Sequence, residues 1–89
     1  MARQIRSQEL LRLQNTIAGP TEIPHRYIIV RDDGNEMKII SRRNELNELI
    51  CFGNLYELRQ GEHMLLVEIE TLLVHWEKTG PLARPYASV

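Results

Sequence analysis

The sequence is poor in the residues that mark several classes of protein. Its single cysteine, Cys51, excludes a disulfide within the chain, so packing alone has to hold the fold. Five glycines and four prolines in 89 residues are too few for a collagen-like or linker sequence. No unbroken apolar run exceeds four residues, as at residues 64–67, whereas a helix that spans a bilayer needs about 20. We therefore expect a folded chain that does not associate with a membrane.

The net charge of −1 gives no overall attraction to nucleic acid or to a membrane surface. The charge is nevertheless uneven, because residues 1–43 carry an excess of arginine and lysine and residues 44–89 an excess of glutamate. The first residues include Arg3 and Arg6 and lack the apolar stretch of a secretion signal. These features predict a cytoplasmic protein. Its two halves form either a dipolar surface or, if the fold interleaves them, a mixed one.

Residues 7–18 have the pattern of an amphipathic helix. Leu10, Leu13 and Ile17 recur at helical spacing and form one apolar stripe. A Gly-Pro pair at 19–20 ends the pattern, because glycine suits the position after a helix and proline cannot continue its hydrogen bonds.

Residues 26–31 and 36–41 predict a β-hairpin. Both segments are rich in apolar and β-branched side chains, and the Asp-Asp-Gly-Asn sequence at 32–35 is typical of a two-residue turn. The same four residues resemble the start of a calcium loop but lack its later ligands, so we interpret them as a turn. The predicted register places Arg31 opposite Glu36. It also gathers one apolar face, formed by Ile28, Val30, Met37 and Ile39.

The chain from residue 44 onward predicts two further helices. Leu46 and Leu49 begin an apolar stripe over residues 44–60, and the Gly-Asn pair at 53–54 interrupts it. This interruption leaves open whether residues 55–61 form helix, turn or strand. A long last helix is predicted over residues 62–79, because apolar residues follow one another at helical spacing: Leu65, Ile69, Leu72 and Trp76.

The expected fold class is α+β: one small domain over residues 1–81, in the order α-β-β-α-α, with one β-hairpin packed against helices. Residues 82–89 contain a proline and no periodicity, and we expect a loose tail there. The alternative places residues 55–69 in additional strands. The predicted core consists of Leu10, Leu13, Ile17, Ile28, Val30, Met37, Ile39, Leu46, Leu49, Ile50, Phe52, Leu65, Ile69, Leu72, Leu73 and Trp76.

The sequence contains no motif for nucleotide binding, metal binding or nucleophilic catalysis. Cys51 lies between Ile50 and Phe52, so we expect a buried and unreactive thiol. On one helix, His63 and His75 would be roughly 18 Å apart, too far to share a metal ion. We therefore predict no catalytic residue, no metal ligand, no cofactor and no enzymatic activity.

The function predicted from the sequence is that of a small non-catalytic protein-interaction module. It would act as an adaptor, an assembly factor or an inhibitor of a larger macromolecule. This prediction depends on the last helix, which would carry more apolar surface than one hairpin covers. We expect another protein as the partner, together with self-association as a two-fold dimer through that helix. The expected interface consists of Val67, Glu70, Val74, Trp76 and Glu77.

The alternative is a nucleic-acid-binding regulator. Arginines cluster near the N-terminus and again between the hairpin and the following helix, and together they would contact several phosphates. The candidate contact residues are Arg3, Arg6, Arg12, Arg42 and Arg43.

Overall fold

The computed structural model describes residues 2–16 and 25–81. These residues form five strands and two helices in the order β-α-β-β-α-β-β. The elements are β1 (Arg3–Gln4), α1 (Ser7–Thr16), β2 (Tyr27–Asp32), β3 (Met37–Arg43), α2 (Leu46–Leu55), β4 (His63–Glu68) and β5 (Leu73–Thr79).

The five strands form one antiparallel sheet in the order β1-β5-β4-β2-β3. The short first strand pairs with the last, so that Arg3 lies opposite Val74. The middle strands β4 and β2 are almost entirely buried. Strand β3 lies at one edge of the sheet and β1 at the other.

Each face of the sheet is covered by one helix. Successive side chains of a strand point to opposite faces, so Ile28 packs towards α1 and Ile29 towards α2. The core on the α1 face contains Leu13, Ile28, Val30, Met37, Leu65, Val67 and Val74. The core on the α2 face contains Tyr27, Ile29, Leu49, Leu58, Met64 and Leu66.

Two β-bulges change which face the strands β3 and β5 present. Val30 is opposite Ile39 and Ile29 is opposite Ser41, which leaves Ile40 as an extra residue in β3. In β5 the extra residue is His75. As a result Val74 packs on the α1 face while Trp76, only two positions later, packs on the α2 face.

The structure contradicts the predicted order α-β-β-α-α, because the long last helix is absent. Within residues 62–79 the chain instead forms the two strands β4 and β5, joined by a turn. A strand buried on both faces is apolar at every position, and the Met-Leu-Leu-Val run of residues 64–67 has this character. The helical spacing of Leu65, Ile69, Leu72 and Trp76 was therefore misleading.

The hairpin prediction is confirmed, but the predicted register is wrong. Asp32 pairs with Met37, the first residue of the second strand, and not with Asn35 as the predicted register requires, so the connecting loop has four residues. Carboxylates set this loop: Asp33 Oδ1 accepts the N–H groups of Asn35 at 2.8 Å and Glu36 at 3.0 Å. These hydrogen bonds lower the pKa of the Asp33 carboxyl.

The first two predicted helices are present, α1 up to the last described residue before the gap and α2 over a shorter range than the predicted 44–60. Helix α2 includes Gly53 and ends at Leu55, and residues 56–62 form neither helix nor strand. Lys78 stabilises the end of α2, because its Nζ donates to the carbonyls of Gly53 at 3.1 Å and Tyr56 at 2.6 Å.

The predicted core is confirmed in part. The buried members are Leu13, Ile28, Val30, Met37, Leu49 and Leu65. Ile17 and the tail predicted at 82–89 lie outside the described residues. Cys51, expected to be buried, is exposed on α2, so this prediction is wrong.

Candidate functional site

The outer edge of β3 is the candidate site. Strand β3 is the last strand in the sheet, and it pairs with β2 on one side. Within residues 2–16 and 25–81 no strand pairs with its other side. Backbone N–H and C=O groups along such an edge are a template for a further strand.

Packing on both faces holds β3 in place. Met37 is buried and Ile39 packs against the core on the α1 face, while Ile40 packs against the core on the α2 face. The hydroxyl of Thr16, at the end of α1, donates to the Met37 carbonyl at 2.5 Å. The edge is therefore a preformed surface rather than a loose segment.

The exposed side chains of this edge are mainly cationic. Lys38, Arg42 and Arg43 are all exposed. The register places Lys38 beside Arg31 and Arg43 beside Tyr27, on the α2 face, and Arg42 beside Ile28, on the α1 face. Cations therefore lie on both faces of the same edge.

Little negative charge within the described part of the chain offsets these cations. Arg43 Nε lies 3.8 Å from Glu48 Oε1, and both side chains are more than half exposed, so this pair is weak. Lys38 and Arg42 form no ion pair among the described residues. The edge is thus a positively charged strip. No strand among the described residues pairs with its backbone groups, although the Thr16 hydroxyl already binds the Met37 carbonyl.

A network of ion pairs lies near the opposite edge of the sheet. The Arg3 guanidinium donates to both Glu77 oxygens, at 2.8 and 2.9 Å, and to both Glu9 oxygens, at 3.1 Å each. His63 Nε2 lies 3.0 Å from Glu77 Oε1. The network ties β1, α1, β4 and β5 together.

The charges of this network shift one another's pKa values. Hydrogen bonds from Arg3 lower the pKa of Glu77 to about 2. Burial raises the pKa of Glu9, but hydrogen bonds from the Arg3 guanidinium and the Arg6 N–H outweigh burial, so the pKa falls below its ordinary value. Both carboxylates also raise the pKa of Arg3.

A cavity of about 400 Å³ lies beside this network, between α1 and the end of the sheet. Two buried carboxylates line it, and both are already bonded. Glu9 accepts from Arg3 and Arg6, while Asp32 accepts from Arg12 Nη2 at 2.6 Å and the Gly34 N–H at 2.9 Å. These carboxylates hold α1 on the sheet, and every one of their oxygens already accepts a hydrogen bond.

A second polar cluster lies on the α2 face. Glu68 Oε1 lies 2.8 Å from His75 Nε2, and this hydrogen bond lowers the pKa of the Glu68 carboxyl. The Tyr27 ring meets the His75 ring edge-on and lies beneath the Arg26 guanidinium. The side chains of this cluster contact one another, and we interpret the cluster as structural.

The predicted interface residues do not form one surface. Val67 and Val74 are buried in the core on the α1 face, and Glu77 belongs to the ion-pair network. Glu70 is exposed in the β4–β5 turn, and Trp76 is half-buried on the α2 face. The helix that was to carry them is absent.

The sequence predicted more apolar surface than the fold could bury. Most of these apolar side chains are in fact packed, because the sheet has a core on each of its two faces. Leu11 and Leu55 are the large apolar residues exposed within the described ranges. They lie on different helices, and single exposed leucines are ordinary.

The five candidate nucleic-acid contacts are not gathered on one surface. Arg3, on β1, is bound to carboxylates, and Arg6 lies just before α1. Arg12 is bound to Asp32 of β2, the strand next to β3. Arg42 and Arg43 lie at the edge of the sheet opposite β1. Four strand spacings separate the two edges, a distance of roughly 19 Å.

The sequence pattern pointed to nucleic acid for Arg42 and Arg43 and gave Lys38 no role. The signal that links the three residues is their place in the second strand of the hairpin. That signal becomes useful only when β3 is known to be an edge strand, and edge position depends on the order of all five strands.

No family model, curated protein or solved structure matches this chain. Across residues 2–16 and 25–81 no group of three metal-ligating side chains is found, and neither helix there is long and apolar enough to cross a membrane. The function is therefore inferred from the geometry of the described residues.

Proposed function

We propose that the chain is a small non-catalytic protein-binding module that docks an extended segment of its partner along the outer edge of β3. One observation carries this proposal. A seven-residue strand is paired on one side and packed on both faces, yet no strand pairs with its other side within the described residues. Roles as an adaptor, an assembly factor or an inhibitor are all compatible with this mode of binding.

Strand addition explains how so small a domain can bind a partner. The partner's backbone forms the hydrogen bonds of a sixth strand, which supplies affinity, and neighbouring side chains supply specificity. Because β3 is already held by β2 and by both helices, the module loses little conformational entropy on binding. Binding by strand addition needs no deep pocket. This agrees with the cavity beside α1, whose carboxylates are already bound to arginines.

We also propose a cytoplasmic location. Cys51 is a free and exposed thiol, and such a thiol persists most readily in a reducing compartment.

The proposal is tested by selecting binders from a random peptide library displayed against the full chain. The selected peptides are then titrated into ¹⁵N-labelled protein, and amide shift changes are mapped. We expect the largest changes along Met37–Arg43, with the β1–β5 edge as the internal comparison. Changes centred on the β1–β5 edge or on α2, or a library that yields no binder, would contradict the proposal.

A further inference from the structure

We infer that the segment docked at β3 is acidic, an inference that rests on the proposed function. In an added strand, side chains lie directly beside those of β3 on each face, and opposite charges in such positions attract. A partner strand would therefore meet Lys38 and Arg43 on the α2 face and Arg42 on the α1 face. Carboxylate side chains of the added strand would therefore lie beside a cation of β3 on either face of the sheet.

The same positions argue against a second copy of this chain as the occupant. If two β3 strands paired antiparallel in one sheet, each copy would bring Lys38 and Arg43 to the α2 face and Arg42 to the α1 face, so cations would line both strands. Like charges in opposing positions destabilise a strand pair. The bulge at Ile40 also interrupts the regular ladder that two identical edges need.

The edge also favours a peptide over a nucleic acid. A strand edge presents N–H donors and C=O acceptors in alternation, and a peptide backbone satisfies both. Phosphate oxygens only accept hydrogen bonds, so a phosphate backbone would bind the N–H groups of the edge but not its carbonyls. Three cations on one strand complement a few carboxylates, whereas Arg3 lies at the opposite edge of the sheet and Arg12 is bound to Asp32.

The test uses two peptides of about twelve residues. In one, glutamate alternates with threonine, and in the other, lysine replaces every glutamate. Both are titrated into the wild-type chain and into the triple variant Lys38→Glu, Arg42→Glu, Arg43→Glu. The matched control is Arg59→Glu, which reverses one exposed charge in the α2–β4 connection. Amide shifts confirm that each variant is folded, and the single variant Arg42→Glu replaces the triple variant if that one is not.

We expect the glutamate peptide to bind the wild-type chain about tenfold more tightly than the lysine peptide, a difference of about 1.4 kcal/mol. Added salt should reduce this difference, since the charges are exposed. The triple variant should reverse the preference, and Arg59→Glu should preserve it. Shift changes should follow Met37–Arg43.

Other outcomes would overturn the inference in distinguishable ways. Equal binding of both peptides at β3 would refute the acidic partner and leave the proposed function standing. Binding elsewhere, or no binding by these peptides or by library peptides, would refute both. A thymidine oligonucleotide that displaces the glutamate peptide and binds more tightly would identify a nucleic-acid site. A dimer seen by light scattering and abolished in the triple variant would identify a second copy.

Discussion

At the scale of single residues, Gly53 shows how a feature that looks unfavourable in the sequence becomes necessary in the fold. A glycine inside a helix costs about 1 kcal/mol relative to alanine. Here a Cβ would overlap the indole ring of Trp76 and would lie 3.0 Å from Cδ1 of Ile29. The missing side chain therefore allows α2 to approach β5 and β2 closely.

Gly53→Ala should accordingly destabilise the protein, although alanine is the better helix former. Forcing a methyl group against a packed aromatic ring costs about 1–3 kcal/mol, which exceeds the gain in helix propensity. The free energy of unfolding, measured in urea, should fall by about 1 kcal/mol, the overpacking cost less the gain in helix propensity. The control is Asn54→Ala at the exposed neighbouring position of the same helix, where we expect no loss. An increase in stability for Gly53→Ala would show that Trp76 yields freely.

At the scale of elements, the sequence was sufficient for α1, for α2 and for the existence of the hairpin. It failed for β4 and β5, because the turn between them lacks the residues that usually announce one. That turn contains no glycine, asparagine or proline, and Leu72 adopts a φ of 61°, in the left-handed region. Without a visible turn, two strands resemble one amphipathic helix.

The ion-pair network also acts between elements, because Arg3 of β1 binds Glu9 of α1 and Glu77 of β5 at once. The Glu77 carboxyl has a pKa of about 2 in the folded chain, against an ordinary value of 4.5. A carboxyl whose pKa is lower in the folded chain than in the unfolded chain stabilises the fold at pH values above the unfolded pKa. This stabilisation is lost as the pH falls towards the folded pKa. The loss should therefore occur between about pH 4.5 and pH 2.

We expect Glu77→Gln to reduce the free energy of unfolding near pH 6 by about 1 kcal/mol, a figure discounted for the solvent exposure of Glu77. The difference from the wild type should shrink towards zero as the pH approaches the pKa of the folded carboxyl. Urea unfolding at a series of pH values measures it. Glu57→Gln is the control, because Glu57 is exposed and forms no ion pair within the described residues. A difference that is constant with pH would contradict the assignment.

At the scale of the whole molecule, the candidate site could not have been predicted from local patterns. Lys38, Arg42 and Arg43 are visible in the sequence, but their position at an edge depends on the full strand order. That order depends in turn on the pairing of Arg3 with Val74, which joins the two ends of the described chain. Contacts between such distant residues leave no periodic signal.

The same strand order gives the molecule two cores, one on each face of a single sheet. Ile28 and Ile29 are adjacent in β2, yet Ile28 shares a cluster with Leu13 and Ile29 does not. Substitutions in one cluster should therefore couple energetically, whereas substitutions across the sheet should add. Double-mutant cycles test this arrangement: Ile→Val is made at position 28 or at position 29, and each change is combined with Leu13→Ala.

We expect Leu13→Ala to cost about 2–5 kcal/mol and each Ile→Val change about 0.5–1.5 kcal/mol. In cycles measured by urea unfolding, Leu13→Ala and Ile28→Val should show a coupling energy of about 0.5 kcal/mol or more, because the two side chains belong to one packed cluster. Leu13→Ala and Ile29→Val should be additive within about 0.3–0.5 kcal/mol. Equal coupling in the two cycles would mean that the sheet transmits packing changes between its faces. The two cores would then behave as one, and docking of a strand on β3 would alter the packing of both helices.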